Sequence, residues 1–251
     1  MAPSAPLPPS APPSWSLAAR TWPEVRRGAT VLVPTGSTEQ HGPHLPLDTD
    51  TVIAAAVAAE AAARTGRADV VVAPALAYGA SGEHQDFPGT VSLGHEALSL
   101  MLVELVRSLS TWAHRVVFVN AHGGNAAGLV RAVGQLLAEN HSVGWVPCTF
   151  GPGDAHAGRT ETSLMLYLVP GSVHLDRAVC GDTRPLPELM PVLRSGGVKA
   201  VSPLGVLGDP AGASAAEGHE LLAGAAGAVA ARLAGAPDRY GCLQPLPAAV
   251  P

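Results

Sequence analysis

The sequence predicts an α/β fold: a three-layer α/β/α domain with a mostly parallel central sheet. Three observations carry the prediction. Short runs of β-branched and aliphatic residues recur along the 251-residue chain. Longer helical patterns separate them. The runs are apolar at successive positions rather than alternating, the pattern of strands covered on both faces. Aromatic residues make up 4% and hydrophobic residues 47%, so the core must be built from Ala, Val and Leu. The length gives one domain, or two at most.

Residues 1–20 form a Pro/Ala-rich arm, expected to be disordered. A single domain over 21–236 follows. Its strand candidates are TVLVP (30–34), ADVVVAP (68–74), RVVFVN (115–120) and VGWVP (143–147). Helical patterns fill 50–64, 95–113, 126–140 and 160–168, and an Ala-rich helix spans 214–234. Leu98, Met101, Leu102 and Leu105 recur at helical spacing and should face the core. Segment 171–212 is rich in Pro and Gly, with weak strand and helix signals. It reads as an excursion over a sheet edge or into an oligomer contact. A flexible tail is expected over 237–251.

The composition excludes several classes. The net charge is −5 and no Lys/Arg run is present, so neither nucleic acid nor a membrane surface is an expected partner. No stretch of about 18 uninterrupted apolar residues suggests a membrane span. The N-terminus has neither a basic nor an apolar signal region. Cys148, Cys180 and Cys242 form no CxxC pair, which argues against a disulfide framework or a thiolate zinc site. A reduced, cytoplasmic protein is expected.

In open α/β sheets ligands bind beyond the carboxyl ends of the strands, and the polar clusters fall there. Glu39 and His41 follow the first strand, His84 the second, His122 the third and His156 the fourth. Glu39 and His41 are two apart, so in an extended segment both reach the same side. Asp50 opens a helical run. It is either an N-cap, a role open equally to Asp48 or Thr49, or a metal ligand, and one carboxylate can do both. His122 lies in NAHGGN, where glycines permit a tight turn into the next helix; the Lys and Ser/Thr of a P-loop are missing. Asn120 and Asn125 are suited to holding this loop by backbone hydrogen bonds. In DAHAGRTETS, Glu161 is either a first-turn carboxylate favoured by the helix dipole or a ligand. Imidazoles and carboxylates without cysteine suit zinc, ferrous iron or manganese. A carboxylate shared by two cations can hold a hydroxide between them.

The segments GSTEQHGPHLPLDTD, YGASGEHQDFPGTVSL, VNAHGGN and HAGRTETS, in that order, resemble the creatininase family of metal-dependent amidohydrolases. The resemblance implies an α/β fold and two divalent metal ions per subunit, Zn or Fe(II), with Mn(II) also accepted. It implies Glu39, His41, Asp50 and His122 as ligands, Asp50 bridging. Creatininase itself has a glutamate ligand where this chain has Gly124, and Glu161 is the expected replacement. No tryptophan precedes His156, which argues against creatinine as substrate. GEHQDFPGTVS, HAGRTETSLML and PLPELMPVLRSGGVKAVSPLGVLGDPAGASAAEG resemble more closely a branch of the family that acts on a modified, ribosomally made precursor peptide. That resemblance implies release of a modified C-terminal dipeptide derived from Val and Tyr, through attack by a metal-bound hydroxide. His156 is expected to transfer a proton or steady the oxyanion, with an outer-shell role as the alternative. Glu161 is a ligand or a base. His84 either lines the substrate pocket or packs under the FPGT turn. Arg159 either receives a substrate carboxylate or is a solvated arginine. A homo-oligomer is implied. The competing readings are an amidohydrolase of a small cyclic amide or formamide, and a non-catalytic scaffold in a biosynthetic complex.

Overall fold

The computed structural model describes residues 15–246. β1 (Ala29–Thr35), β2 (Val70–Val72), β3 (Ala113–Asn120) and β4 (Val143–Pro147) form one sheet in the order β2-β1-β3-β4. Every pairing between them is parallel. β1 is buried along its whole length, as a central strand covered on both faces must be.

Side chains of alternate residues point to opposite faces, which divides the interior into two layers. Leu32, Val117, Val119 and Val146 pack with α1 (Thr49–Thr65), α4 (Arg159–Leu168) and α6 (Ala215–Arg232). Val31, Val33, Val116 and Phe118 pack with α2 (Gly94–Leu109) and α3 (Ala126–Ala138). Leu98 and Leu102 are fully buried, while Met101 and Leu105 pack against the same layer. Full burial of one such side chain contributes about 1.5–3 kcal/mol, against about 0–1 kcal/mol for an exposed ion pair. These two aliphatic layers, rather than the surface pairs, therefore hold the fold.

Three expectations need correction. Residues 1–14 lie outside the described residues, but the last part of the expected arm is fixed: Val72 donates its amide to Trp15 O at 2.8 Å, and Ser16 bridges Val72. The expected flexible tail is fixed over 237–243. Cys242 bridges Trp145, Leu243 N donates to Trp145 O at 2.9 Å, and Leu243 is buried. Residues 15–16 and 241–243 thus pair with backbone groups on the outer sides of the edge strands β2 and β4. Third, the 171–212 segment contains α5 (Leu186–Val201). Pro187 is tolerated in its first turn, Pro191 interrupts the pattern, and Gly197 leaves helical geometry at φ 68°. These residues hid the helix from periodicity. Among the described residues no helix is long and apolar enough to cross a membrane.

Candidate metal centre

Sheet order places the site. The chain runs from β1 to β2 on one side, then returns to β3 on the other, so the crevice at the carboxyl ends of β1 and β3 is the topological switch point. Glu39 and His41 leave β1 there and His122 leaves β3. Asn125 stitches the two strand ends together: its Nδ2 donates to Gly36 O at 2.9 Å, and its Oδ1 accepts from Ala80 N at 2.9 Å. Asn120 Nδ2 donates to His122 O at 2.7 Å. Both asparagines hold the loop as their positions suggested.

Five donors meet in this crevice. His41 Nε2 lies 3.2 Å from Asp50 Oδ1 and 3.9 Å from Glu161 Oε2. His122 Nδ1 lies 3.2 Å from Asp50 Oδ2, and its Nε2 lies 3.3 Å from Glu39 Oε2. Asp50 therefore faces both histidines, one with each oxygen, as a bridging carboxylate requires. Its side chain makes no cap; Ser37 Oγ donates to Oδ2 at 2.8 Å instead. Asp48 holds the N-cap position without a side-chain cap bond. Glu161 accepts from the Ala157 amide at 2.6 Å, aimed by a left-handed Ala157 at φ 53°.

Two further histidines close the other side. His84 Nε2 lies 3.3 Å from Glu39 Oε1, and His156 Nδ1 lies 4.0 Å from the same oxygen. Gln40, which sequence reasoning missed, sets both rings. Its Oε1 accepts from Gly42 N at 2.8 Å and its Nε2 donates to Gly205 O at 3.1 Å, which fixes the amide orientation. Nε2 also lies 2.8 Å from His84 Nδ1, so that nitrogen accepts and His84 Nε2 carries the proton. His156 Nε2 lies 2.8 Å from Gln40 O and donates to it, leaving the His156 Nδ1 lone pair free. Gly205 has φ 81° and lies against Gln40; a side chain there would collide with the amide. No motif marks Gln40; the signal was its place between Glu39 and His41.

The charges are strongly perturbed. Burial alone would raise the Glu39 carboxyl, but His122 outweighs it and holds the group down at about 2. Burial would lower His41, yet Asp50 raises it to about 10. His122 is likewise raised against burial by Glu39 and Asp50. Burial pushes His84 down to about 4 and His156 well down, and raises Glu161 to about 7. Protons on His41 and His122 thus take the place of cations among the carboxylates.

One observation tests whether a metal fits. Both Glu39 oxygens are buried and have no hydrogen-bond partner. The 3.3 Å approaches of His84 and His122 are ion-pair distances without hydrogen-bond geometry. A buried carboxylate without donors needs a cation. Three groups have donor atoms mutually within 4.8 Å: Glu39–Asp50–His122, His41–His156–Glu161 and Glu39–His84–His156. The residues fit divalent ions.

The crevice opens into a cavity of ≈ 690 Å³, which His84 and His156 line. Arg159 is not among its lining residues; it is exposed and pairs with Glu217 at 2.8 Å. Arg194 of α5 lines the cavity instead. His44 stands apart, its Nε2 2.9 Å from Thr162 Oγ1. Burial raises the Cys148 thiol, which suits a packing group rather than a nucleophile.

A parallel α/β sheet whose strand ends converge on imidazoles and carboxylates, with one aspartate facing two histidines, is the architecture of a metal-dependent hydrolase. The family model described as Creatininase: Creatinine amidohydrolase matches residues 18–233, and the chain belongs to the creatininase family. It is 58% identical over 217 residues to the mycofactocin precursor peptide peptidase of Mycolicibacterium smegmatis, covering 85% of this chain and 88% of that protein. It is 34% identical over 194 residues to the creatinine amidohydrolase of Pseudomonas putida, covering 63% and 74%. Among solved structures, one described as Creatininase Mn superposes with a TM-score of 0.73 at 28% identity, covering 87% of this chain and 96% of that one. The chain is a hydrolase acting on carbon–nitrogen bonds.

Proposed function

We propose that this hydrolase is a peptidase that releases the modified C-terminal dipeptide, derived from Val and Tyr, from the mycofactocin precursor peptide. The likeness to the Mycolicibacterium smegmatis peptidase over most of both chains supports the substrate. The single observation supporting the chemistry is the buried Glu39 carboxylate without donors, facing His122 and, through it, Asp50.

Glu39, Asp50 and His122 would hold one divalent ion. His41 and Glu161 would hold a second, with Asp50 shared. Zn, Fe(II) and Mn(II) all suit these donors. Bound there, such a pair would supply a hydroxide nucleophile and polarise the scissile carbonyl. The protein does the rest. His156 presents a neutral Nδ1, since its Nε2–H is committed to Gln40 O. That nitrogen takes the proton of the attacking water and passes it to the leaving amine. His84 lines the cavity with its Nε2 beside Glu39 Oε1 and helps to position the substrate there. The chain works in the cytoplasm as a homo-oligomer; exposed apolar side chains such as Trp22 and Leu204 offer surface for pairing.

The test is incubation of the Zn-loaded protein with the modified precursor peptide, with creatinine and a formamide in parallel, and mass spectrometry of the products. The expected result is a released C-terminal fragment and inert small amides. Turnover of creatinine with an intact peptide overturns the proposal. Metal analysis showing no bound ion after loading supports a scaffold instead.

A further inference from the structure

Helix α5 faces the donor cage across the cavity, and the mechanism gives its inward surface no task. One side of α5 anchors it: Leu189 and Val198 are buried with Leu207, and Phe87 packs against them. Leu186 and Met190 line the cavity, as does Leu193, which also packs against that cluster; Val198 and Leu207 border the cavity too. The spacing of Leu186, Met190 and Leu193, four and then three residues, puts them on one helical face. Leu186 remains 45% exposed where it borders the cavity.

This wall is held in fixed register with the cage. Gly197 lies against Glu83 O, where a Cβ would come within 2.7 Å. The break in α5 therefore docks directly on the 3-10 turn Gly82–His84, which carries His84. Lys199 Nζ adds a hydrogen bond to Asp86 O at 3.3 Å. One side of the cavity is thus carboxylate and imidazole, and the facing α5 side presents Leu186, Met190 and Leu193, with Arg194 and Ser195 beside them. A volume of ≈ 690 Å³ falls within the roughly 300–1,000 Å³ of small-ligand sites.

We propose that α5 is the substrate-selecting wall: Leu186, Met190 and Leu193 receive a bulky apolar side chain on the released side of the scissile bond. This rests on the peptidase reading above. It names the substrate class as peptides with large apolar residues following the cleaved bond, chosen over small or charged ones. Apolar pockets discriminate by about 10–200-fold per methylene-sized difference, so several such contacts give a readable effect.

The experiment uses the Zn-loaded full chain with the dipeptides Val-Tyr and Gly-Gly as calorimetric probes, and the precursor peptide for kinetics. The wild type should bind Val-Tyr at least about 10-fold more tightly than Gly-Gly. Leu186→Asp and Met190→Asp should abolish that preference and raise KM for the precursor more than they lower kcat. Met190→Leu should keep it. Metal content and melting temperature should not change; Met190→Gln, close in size, replaces any aspartate variant that melts early. Equal binding of the two dipeptides by the wild type, or an undiminished preference in the aspartate and glutamine variants, overturns the proposal. Selective Val-Tyr binding with an uncut precursor leaves the wall standing and removes the peptidase reading. Cleavage with unchanged selectivity in the variants does the reverse.

Discussion

The Gln40 side-chain amide nitrogen lies 2.8 Å from His84 Nδ1, and the same residue's carbonyl oxygen lies 2.8 Å from His156 Nε2. One residue therefore fixes the tautomers of two of the histidines that line the cavity. Partners that orient metal-site histidines affect metal affinity or activity by about 10–100-fold. Gln40→Ala should lower kcat by that order with the metal content unchanged. A spectroscopic check is available: the imidazole 15N shifts should report His84 protonated on Nε2 in the wild type, and a mixture in the variant.

Glu39 is the donor whose loss should be felt first. Its oxygens have no hydrogen-bond partner to survive the change. Glu39→Gln keeps the shape and removes the charge. Elemental analysis after dialysis should show less than one tenth of the wild-type metal at the Glu39–Asp50–His122 position, by an affinity loss of more than about tenfold. Unchanged stoichiometry would show that Glu39 is not a ligand.

The metal-free protein should lose stability at alkaline pH. Asp50, acting against burial, raises His41 from 6.5 to about 10. A base raised on folding contributes stability fully present below its unfolded pKa and lost as pH rises through the folded one. His84, held down at about 4, and Glu39, held down at about 2, contribute oppositely, but their contributions are complete by pH 7 and stay constant above it. Between pH 7 and 10 the melting temperature of the stripped protein should therefore fall. The slope per proton is at most about 1.4 kcal/mol per pH unit. Reloading with Zn should flatten this slope, because bound cations displace those protons. A stripped protein as stable at pH 10 as at pH 7 would refute the account.

Arg159 should be dispensable. Its guanidinium pairs with Glu217 in solvent, where such pairs contribute little. Arg159→Ala should leave KM and kcat within about twofold of wild type, with a small fall in melting temperature. A large rise in KM would restore it as a substrate contact.

Much of this was legible in the chain, and the reasons differ by residue. The strands showed because continuous apolar runs such as RVVFVN have no use outside a doubly covered sheet. The cage showed because four strand ends each carried a histidine or carboxylate, and sheet topology brings strand ends together. The fixed residues at both termini were hidden, since edge-covering backbone bonds leave no mark on composition. α5 was hidden by Pro191 and Gly197, which break its pattern while Gly197 makes the docking contact. Gln40 was hidden because its role is fixed by Gly205, 165 positions away. Arg159 failed as a pocket residue because Glu217, on another helix, draws it outward.

The two glycines after His122 should behave differently, though they are neighbours. A Cβ on Gly124 would come 2.4 Å from both Ala80 O and His122 Nε2, and 2.5 Å from Glu83 Oε1, whereas one on Gly123 would meet nothing within 4 Å. Contacts below 3 Å with backbone and with a ring held at Ala80 O cannot relax by turning a flexible side chain. Overpacking of this kind costs about 1–3 kcal/mol, and here the group displaced is a proposed metal donor. Gly124→Ala should therefore lower both melting temperature and metal content, while Gly123→Ala should retain full metal content. Stoichiometry by elemental analysis on the two purified variants decides the matter. Equal metal in both would show that the His122 loop is looser than its contacts indicate, and that Gly124 is there for some reason other than room.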